Sequence, residues 1–406
     1  TVDARPGTLR RSGDHLLLLT NSSLLQAPDP NSSATVVHRP RWRLNGQPSA
    51  PLLAASNTWL AGFQPGTLGT TVVSVHRLRI DAPQGVQHFS MLQNQANMYV
   101  SNESVYLAAT RSDPLRFGID NTITAYRAFT TVHKLRAEDL SWRGSADVRG
   151  QLQWGSRATW GLQEKNGDLR VVTALRDRTD ADPATAALLT VLREDPANRK
   201  LVERVRLPNA NRREPLGRPG ESVYGVRLLD DRMQLVTFRQ VDPLYDVDLS
   251  NPDDPRIAGE LEISGYSEYL HVLPPGQLLG FGVEVDPSGA TFFAPEKLKL
   301  SLFGLAQDNG PIVERQTFRF GGPYSQLPLL YEPHALAVFS PGPNQVRMST
   351  PMQLWSEEAP WTPDPVSVLK IRYDASGAEL AEVRNVPVEG PVEADAHVGL
   401  ARTVLY

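Results

Sequence analysis

The 406-residue chain contains no cysteine, which excludes disulfides, thiol catalysis and cysteine-rich zinc sites and leaves the redox compartment open. It also lacks any apolar run near the roughly 20 residues that would cross a bilayer as a helix. Basic blocks are missing: 41 lysines and arginines stand against 45 acidic residues, a net charge of −4. The one local cluster, "NRREPLGR" (211 to 218), is short, has no interleaved aromatics and reads as a solvated loop, so no nucleic-acid partner is expected. Chemical signatures are scarce too. There is no G-x-S-x-G serine elbow, and the eight histidines form neither an H-E-x-x-H motif nor a pair at ligand spacing. Serine-hydrolase and zinc-enzyme readings therefore find no support, and no catalytic residue is assigned.

A sustained helical period is almost absent as well. What is present is strand signal: apolar or alternating runs of roughly four to eight residues between Gly, Pro, Asn and Asp clusters. Thirty-three prolines and 30 glycines, many in turn dipeptides such as "NG" (166 to 167) and "PGPN" (341 to 344), fit many tight connections. "DPATAALLTVLRED" (182 to 195) is the clearest competitor for a helix, but "ALLTVLR" fits a strand equally and its neighbours favour one.

Aligned, the segments form a repeating unit of four strands. Copies begin at "MYVSNESVYLAAT", "TWGLQEKNGDLRVVTALR", "VYGVRLLDDRMQLVTF", "YLHVLPPGQLLGFGVEV" and "LLYEPHALAVFS", about 45 to 70 residues apart. Four-strand units repeated at this spacing imply an all-β β-propeller of antiparallel blades, whose apolar faces are buried only against neighbouring blades. The expected fold is one domain over residues 1–406 with seven blades, eight being the alternative. A closure blade is expected from about residues 8–49 plus "DAHVGLARTVLY" (395 to 406, within 394–406). Loss of the last dozen residues is expected to destabilise the ring.

"VTFRQVDPLY", "DLSNPDDPRIAGELEISGYSEYLH" and "KLKLSLFGLA", with "SMLQNQANMYVSNESVYLAAT" upstream, resemble the family of secreted bacterial and archaeal proteins with a C-terminal β-propeller distantly related to WD40 repeats. The resemblance runs over roughly residues 85 to 340. It implies the fold and an extracytoplasmic location, with any signal peptide or lipid anchor lying upstream of Thr1, and it carries no enzymatic activity onto residues here. Enzymatic propellers find little echo: "DPSGATF" (286 to 292) matches the sialidase-type aspartate box only in part, and the seven tryptophans take no common blade position of the quinone-cofactor kind.

Candidate sites follow from local chemistry. In "GYSEYLHVLPPGQLLGFG" (265 to 282), Tyr269 and His271 share a side of a strand by the period-two rule, with Leu270 opposite. Buried, they need partners, and Glu268, Arg239 and Asp242 are the nearby candidates. "GGPYSQLPLLYEPHAL" adds Tyr324, Tyr331 and His334, so a ligand site at a channel mouth would draw on these residues. Asp246, Asp248, Ser250 and Asn251 offer hard oxygens for a structural Ca2+, as do Asp180 and Asp182; but Ile257 stands where an EF-hand needs its glutamate, and an Asx turn explains the first loop as well. No other cofactor is expected. The loop "STPMQLWSEEAPWTPDP" holds Trp355 and Trp361 as interface candidates. The leading functional expectation is a non-catalytic extracytoplasmic scaffold for a protein partner in the envelope or outside the cell. The alternative is a ligand or metal receptor, or an enzyme, using the central channel.

Overall fold

The computed structural model describes residues 2–386 apart from residues 3, 27–35, 38–39, 44–46, 53–57, 61–70, 83–84, 94, 119–121, 154, 178–183, 239–241, 274–275, 286–294, 306–311, 343, 356–365 and 375–376. Among these residues the chain is strand and turn, with three short 3-10 segments as its only helical structure. It divides into two compact units, one of Thr1–Leu152, Leu162–Pro183 and Leu188–Arg206, the other of Gln153–Gly161, Ala184–Ala187 and Leu207–Tyr406.

In the first unit β1 (Arg5–Ser12), β2 (His15–Ser23), β3 (Thr71–Arg79) and β4 (Gln87–Gln93) form an antiparallel meander, with Thr58–Leu60 parallel to β4. Residues 8–49 thus supply strands to a five-stranded sheet; residues 394–406, expected to share a closure blade with them, lie outside the described residues. A second meander consists of β5 (Asn97–Val100), β6 (Ser104–Phe117), β7 (Ile123–Arg136) and β8 (Trp142–Arg149). A third consists of β9 (Leu162–Lys165), β10 (Asp168–Ala174), β11 (Ala187–Asp195) and β12 (Lys200–Leu207), joined to the second by one parallel pairing of Ser145 with Lys200. The helix competitor is β11. Asn166 and Gly167, joining β9 to β10, both have positive φ, as a two-residue hairpin turn that follows strand twist requires.

The second unit continues the pattern. β13 (Ser222–Leu229), β14 (Arg232–Phe238), β15 (Asp242–Asp248) and β16 (Arg256–Ile263) form one sheet, and β17 (Tyr266–Leu273), β18 (Gln277–Val285), β19 (Pro295–Gly304) and β20 (Val313–Phe320) the next. The last described sheet is β21 (Ala337–Gly342), β22 (Gln345–Pro351), β23 (Val366–Asp374) and β24 (Gly377–Val386). Here "LLYEPHALAVFS" begins with two 3-10 turns, Pro328–Leu330 and Pro333–Ala335, before the strand starts. Proline opens each turn because its fixed φ suits a first helical position and its missing N–H is not needed there.

The sheets pack face to face. Leu17, Leu19, Val73, Val75, Phe89 and Met91 of the first sheet meet Met98, Val105, Leu107 and Leu135 of the second. In the second unit Val236, Leu244 and Ile263 meet Leu270, Leu278 and Phe303, and the opposite face of that sheet meets Met348, Leu369 and Ile371. At about 1.5–3 kcal/mol per fully buried aliphatic side chain, these inter-sheet contacts are what a single twisted sheet could not obtain alone.

One hairpin outgrows its sheet. β5 pairs with β6 only through Ala108, and β8 pairs with β7 only from Phe129, so beyond those points β6 and β7 pair with each other alone. The root of this arm is braced: the Arg111 and Arg149 guanidiniums each lie 5.1 Å from the Phe129 ring centre, and the Asp177 carboxylate takes both Arg149 and the Ala128 N–H.

Candidate functional site

The strand with the Tyr-His pair is β17, which lies beside β13 and the 3-10 segment Gly155–Gly161 in the second unit. Two bulges shape this place. The β13 ladder shifts between Val223 and Gly225 and the β17 ladder between Ser267 and Tyr269, so Tyr224 and Glu268 are the extra residues. A bulged residue leaves the ladder and its side chain is re-aimed. Gly225 lets the two strands approach, since a Cβ there would sit 2.8 Å from the Ser267 carbonyl oxygen.

The re-aimed Glu268 carboxylate pairs with Arg157 of the 3-10 segment. Burial pushes this carboxyl upward and Arg157 pulls against it. Past the bulge, alternation resumes: Leu270 is buried in the inter-sheet core, while Tyr269 and His271 share the other face. Their rings are 6.3 Å apart and 28° from parallel, with the phenol oxygen 3.4 Å from His271 Nδ1. Trp160 meets Tyr269 edge-on at 5.4 Å. Burial, helped by Arg227, lowers His271 to about 4, so its imidazole is neutral at neutral pH. Burial raises the Tyr269 phenol, and Arg227 opposes that rise. Arg227 reaches this pair from β13, and its buried Nε–H has no acceptor. Glu268 is thus committed to a cation and His271 Nδ1 faces a phenol; the groups left over are the Arg227 guanidinium and His271 Nε2.

The remaining candidates are dispersed. Arg239, Asp180, Asp182 and Trp361 lie outside the described residues, and Asp242 is described only as the first backbone position of β15. Asp246 is 0% exposed and takes Arg232 and the Gln234 amide. Asp248 caps its turn by accepting from the Ser250 N–H at 2.9 Å and pairs with Arg256; burial would raise it, but these contacts hold it at about 2. Both carboxylates face arginines, which gives the acidic loop a structural account without an ion. Tyr324 is exposed and contacts Trp355 edge-on at 4.9 Å, Tyr331 is exposed, and His334 bonds Glu332.

The β-propeller domain family model matches residues 1–394. The chain belongs to the β-propeller domain family. A 92-residue stretch of this propeller, 23% of the chain, is 44% identical to an uncharacterised protein of Methanocaldococcus jannaschii, and 91 residues, 22% of the chain, are 42% identical to one of Archaeoglobus fulgidus. Each match spans 13% of the archaeal protein, so the matched stretch corresponds to a small part of these relatives. Among solved structures, an uncharacterised Listeria monocytogenes protein aligns over 93% of the propeller and 82% of itself at 12% identity, TM-score 0.36. Prolyl oligopeptidase B of Galerina marginata aligns over 94% and 50% at 11% identity, also with TM-score 0.36.

The propeller's first unit holds a polar centre that sequence reading does not single out. Lys134 Nζ lies 3.2 Å from Glu164 and 3.1 Å from Glu194, with both its own side chain and Glu164 nearly inaccessible. Glu164 also accepts from Ser101, Ser104 and Tyr106. Lys134, Glu194, Arg136 and Arg143 line a cleft of about 510 Å3. Neither this network nor the Arg157–Glu268 pair is visible in local spacing, because their members lie 30 to 111 positions apart in the chain.

Proposed function

We propose that this propeller is a non-catalytic extracytoplasmic binding module that holds a protein partner through the β6–β7 arm. The observation that carries the reading is the arm's composition: Leu115, Phe117 and Ile123 are 50%, 56% and 43% exposed, with Phe117 and Ile123 directly opposed across the hairpin. Large apolar side chains gathered on a projecting surface favour a macromolecular contact. Pro114 and the register shifts on either side of Arg116 work against sheet-edge pairing, so the side chains rather than the backbone edge are offered to the partner. The extracytoplasmic part of the proposal rests on the family resemblance of "DLSNPDDPRIAGELEISGYSEYLH".

The test is affinity capture by the full chain from the extracytoplasmic fraction, quantified against the Leu115→Ser/Phe117→Ser variant. A stoichiometric protein should be recovered by the parent and lost by the variant. Since both side chains are half in water, the variant's urea stability should stay within about 1 kcal/mol of the parent. Equal recovery by both proteins, or no stoichiometric partner, overturns the proposal.

A further inference from the structure

Arg227 is the uncompensated charge of the β13–β17 site. Arg157 is neutralised by Glu268, and Tyr269 and His271 carry no charge at neutral pH. The Arg227 Nε–H is buried and has no hydrogen-bond acceptor among the described residues. A buried donor without a partner, on a charged group above all, marks a place where an acceptor is missing. The geometry around it is suited to supply more donors. The Tyr269 hydroxyl lies 3.4 Å from His271 Nδ1; in the tautomer where the hydroxyl donates, the neutral ring carries its proton on Nε2 and offers a second N–H. Trp160, edge-on to Tyr269, adds an aromatic wall.

We infer that Arg227, His271 and Tyr269 form a binding site for a small organic carboxylate, its anionic end on the guanidinium and imidazole and its apolar body against Trp160 and Tyr269. The charge count selects this class. One net positive charge matches a monoanion, whereas dianionic phosphate would leave excess negative charge in a half-buried place next to Glu268. Planar carboxylate and guanidinium also share a two-point geometry. This site is separate from the arm, so it stands or falls independently of the protein-binding proposal.

The experiment follows the histidine ring resonances of the full chain while sodium acetate, benzoate or phosphate is added at constant ionic strength with chloride. His271 should shift saturably with both carboxylates, more tightly with benzoate, and respond least to phosphate. In Arg227→Gln the affinity should fall by about tenfold or more, with the buried His76 and His133 resonances unmoved as a check on the fold. The ligand-free melting temperature of Arg227→Gln should equal or exceed the parent's, because an unpaired charge has been removed. No saturable shift, equal affinity in the variant, or a variant that melts well below the parent would each overturn the assignment.

Discussion

Lys134→Met should destabilise the first unit by roughly 3–5 kcal/mol, the loss found when one partner of a buried ion network is removed and the other is left charged. Lys134 is 7% exposed, sits between Glu164 and Glu194, and lies over the Tyr106 ring at 5.7 Å. Glu194 keeps Arg143 in the variant. Glu164 has no second cation among the described residues: burial pushes its carboxyl up, and the hydroxyls of Ser101 and Tyr106 together with Lys134 bring it below its ordinary value. Without Lys134 the burial effect gains, and Glu164 should titrate above its unfolded value. A raised folded-state carboxyl favours the folded protein at low pH, so the deficit of the variant should shrink as pH falls toward 5. Urea midpoints for the parent, Lys134→Met and Lys134→Met/Glu164→Gln test this. The double variant should recover part of the loss, since the uncompensated charge is gone. A single variant within 1 kcal/mol of the parent would show that water, not Lys134, satisfies Glu164.

The strand pattern was legible because it is local. Period-two alternation and turn dipeptides identify β17 with Leu270 on one face and Tyr269 and His271 on the other, and they favour a strand for "ALLTVLR", which is β11. The fifth repeat shows the limit: "LLYEPHALAVFS" has an apolar run of strand length, yet Pro328 and Pro333 turn its first half into 3-10 segments. Site chemistry was less legible for a physical reason. Sequence proximity offers Glu268, Arg239 and Asp242 as partners for Tyr269 and His271, but the bulge turns Glu268 toward Arg157, 111 positions away in the chain. The same applies to Arg227, which is one more residue in an apolar strand until β17 is laid beside it. The acidic loop is the converse case: Asp246 and Asp248 have metal-like spacing, and their arginine partners become visible only when strands β14 and β16 flank them.

Stability should fall steeply between pH 6.5 and 4, before most carboxylates titrate, because buried histidines must stay neutral in the folded chain. His76 is 3% exposed and bonds Thr20 at 3.0 Å; burial, then His88, lowers it to about 4. His133 is 1% exposed and is held by Ser145 at 2.6 Å and the Gln93 side-chain Oε1 at 3.0 Å; burial lowers it to about 4 against an opposing pull from Asp147. Above pH 6.5 neither state takes a proton, so there is no effect. Below it the unfolded chain binds protons that the folded chain refuses, and unfolding gains. Each residue should contribute about 2 kcal/mol of lost stability at pH 5 and about 3 kcal/mol at pH 4. Both lie in the first unit, so the two losses fall on the same compact unit. Urea midpoints at half-unit steps from pH 7.5 to 4.5 measure the slope, and His133→Gln, which keeps a polar group of similar reach, should flatten it by nearly half. A midpoint that holds steady from pH 7 to 5 would mean that these imidazoles find a proton-compatible arrangement in the folded state, with Ser145 and Thr20 turning their hydroxyl oxygens toward a charged ring.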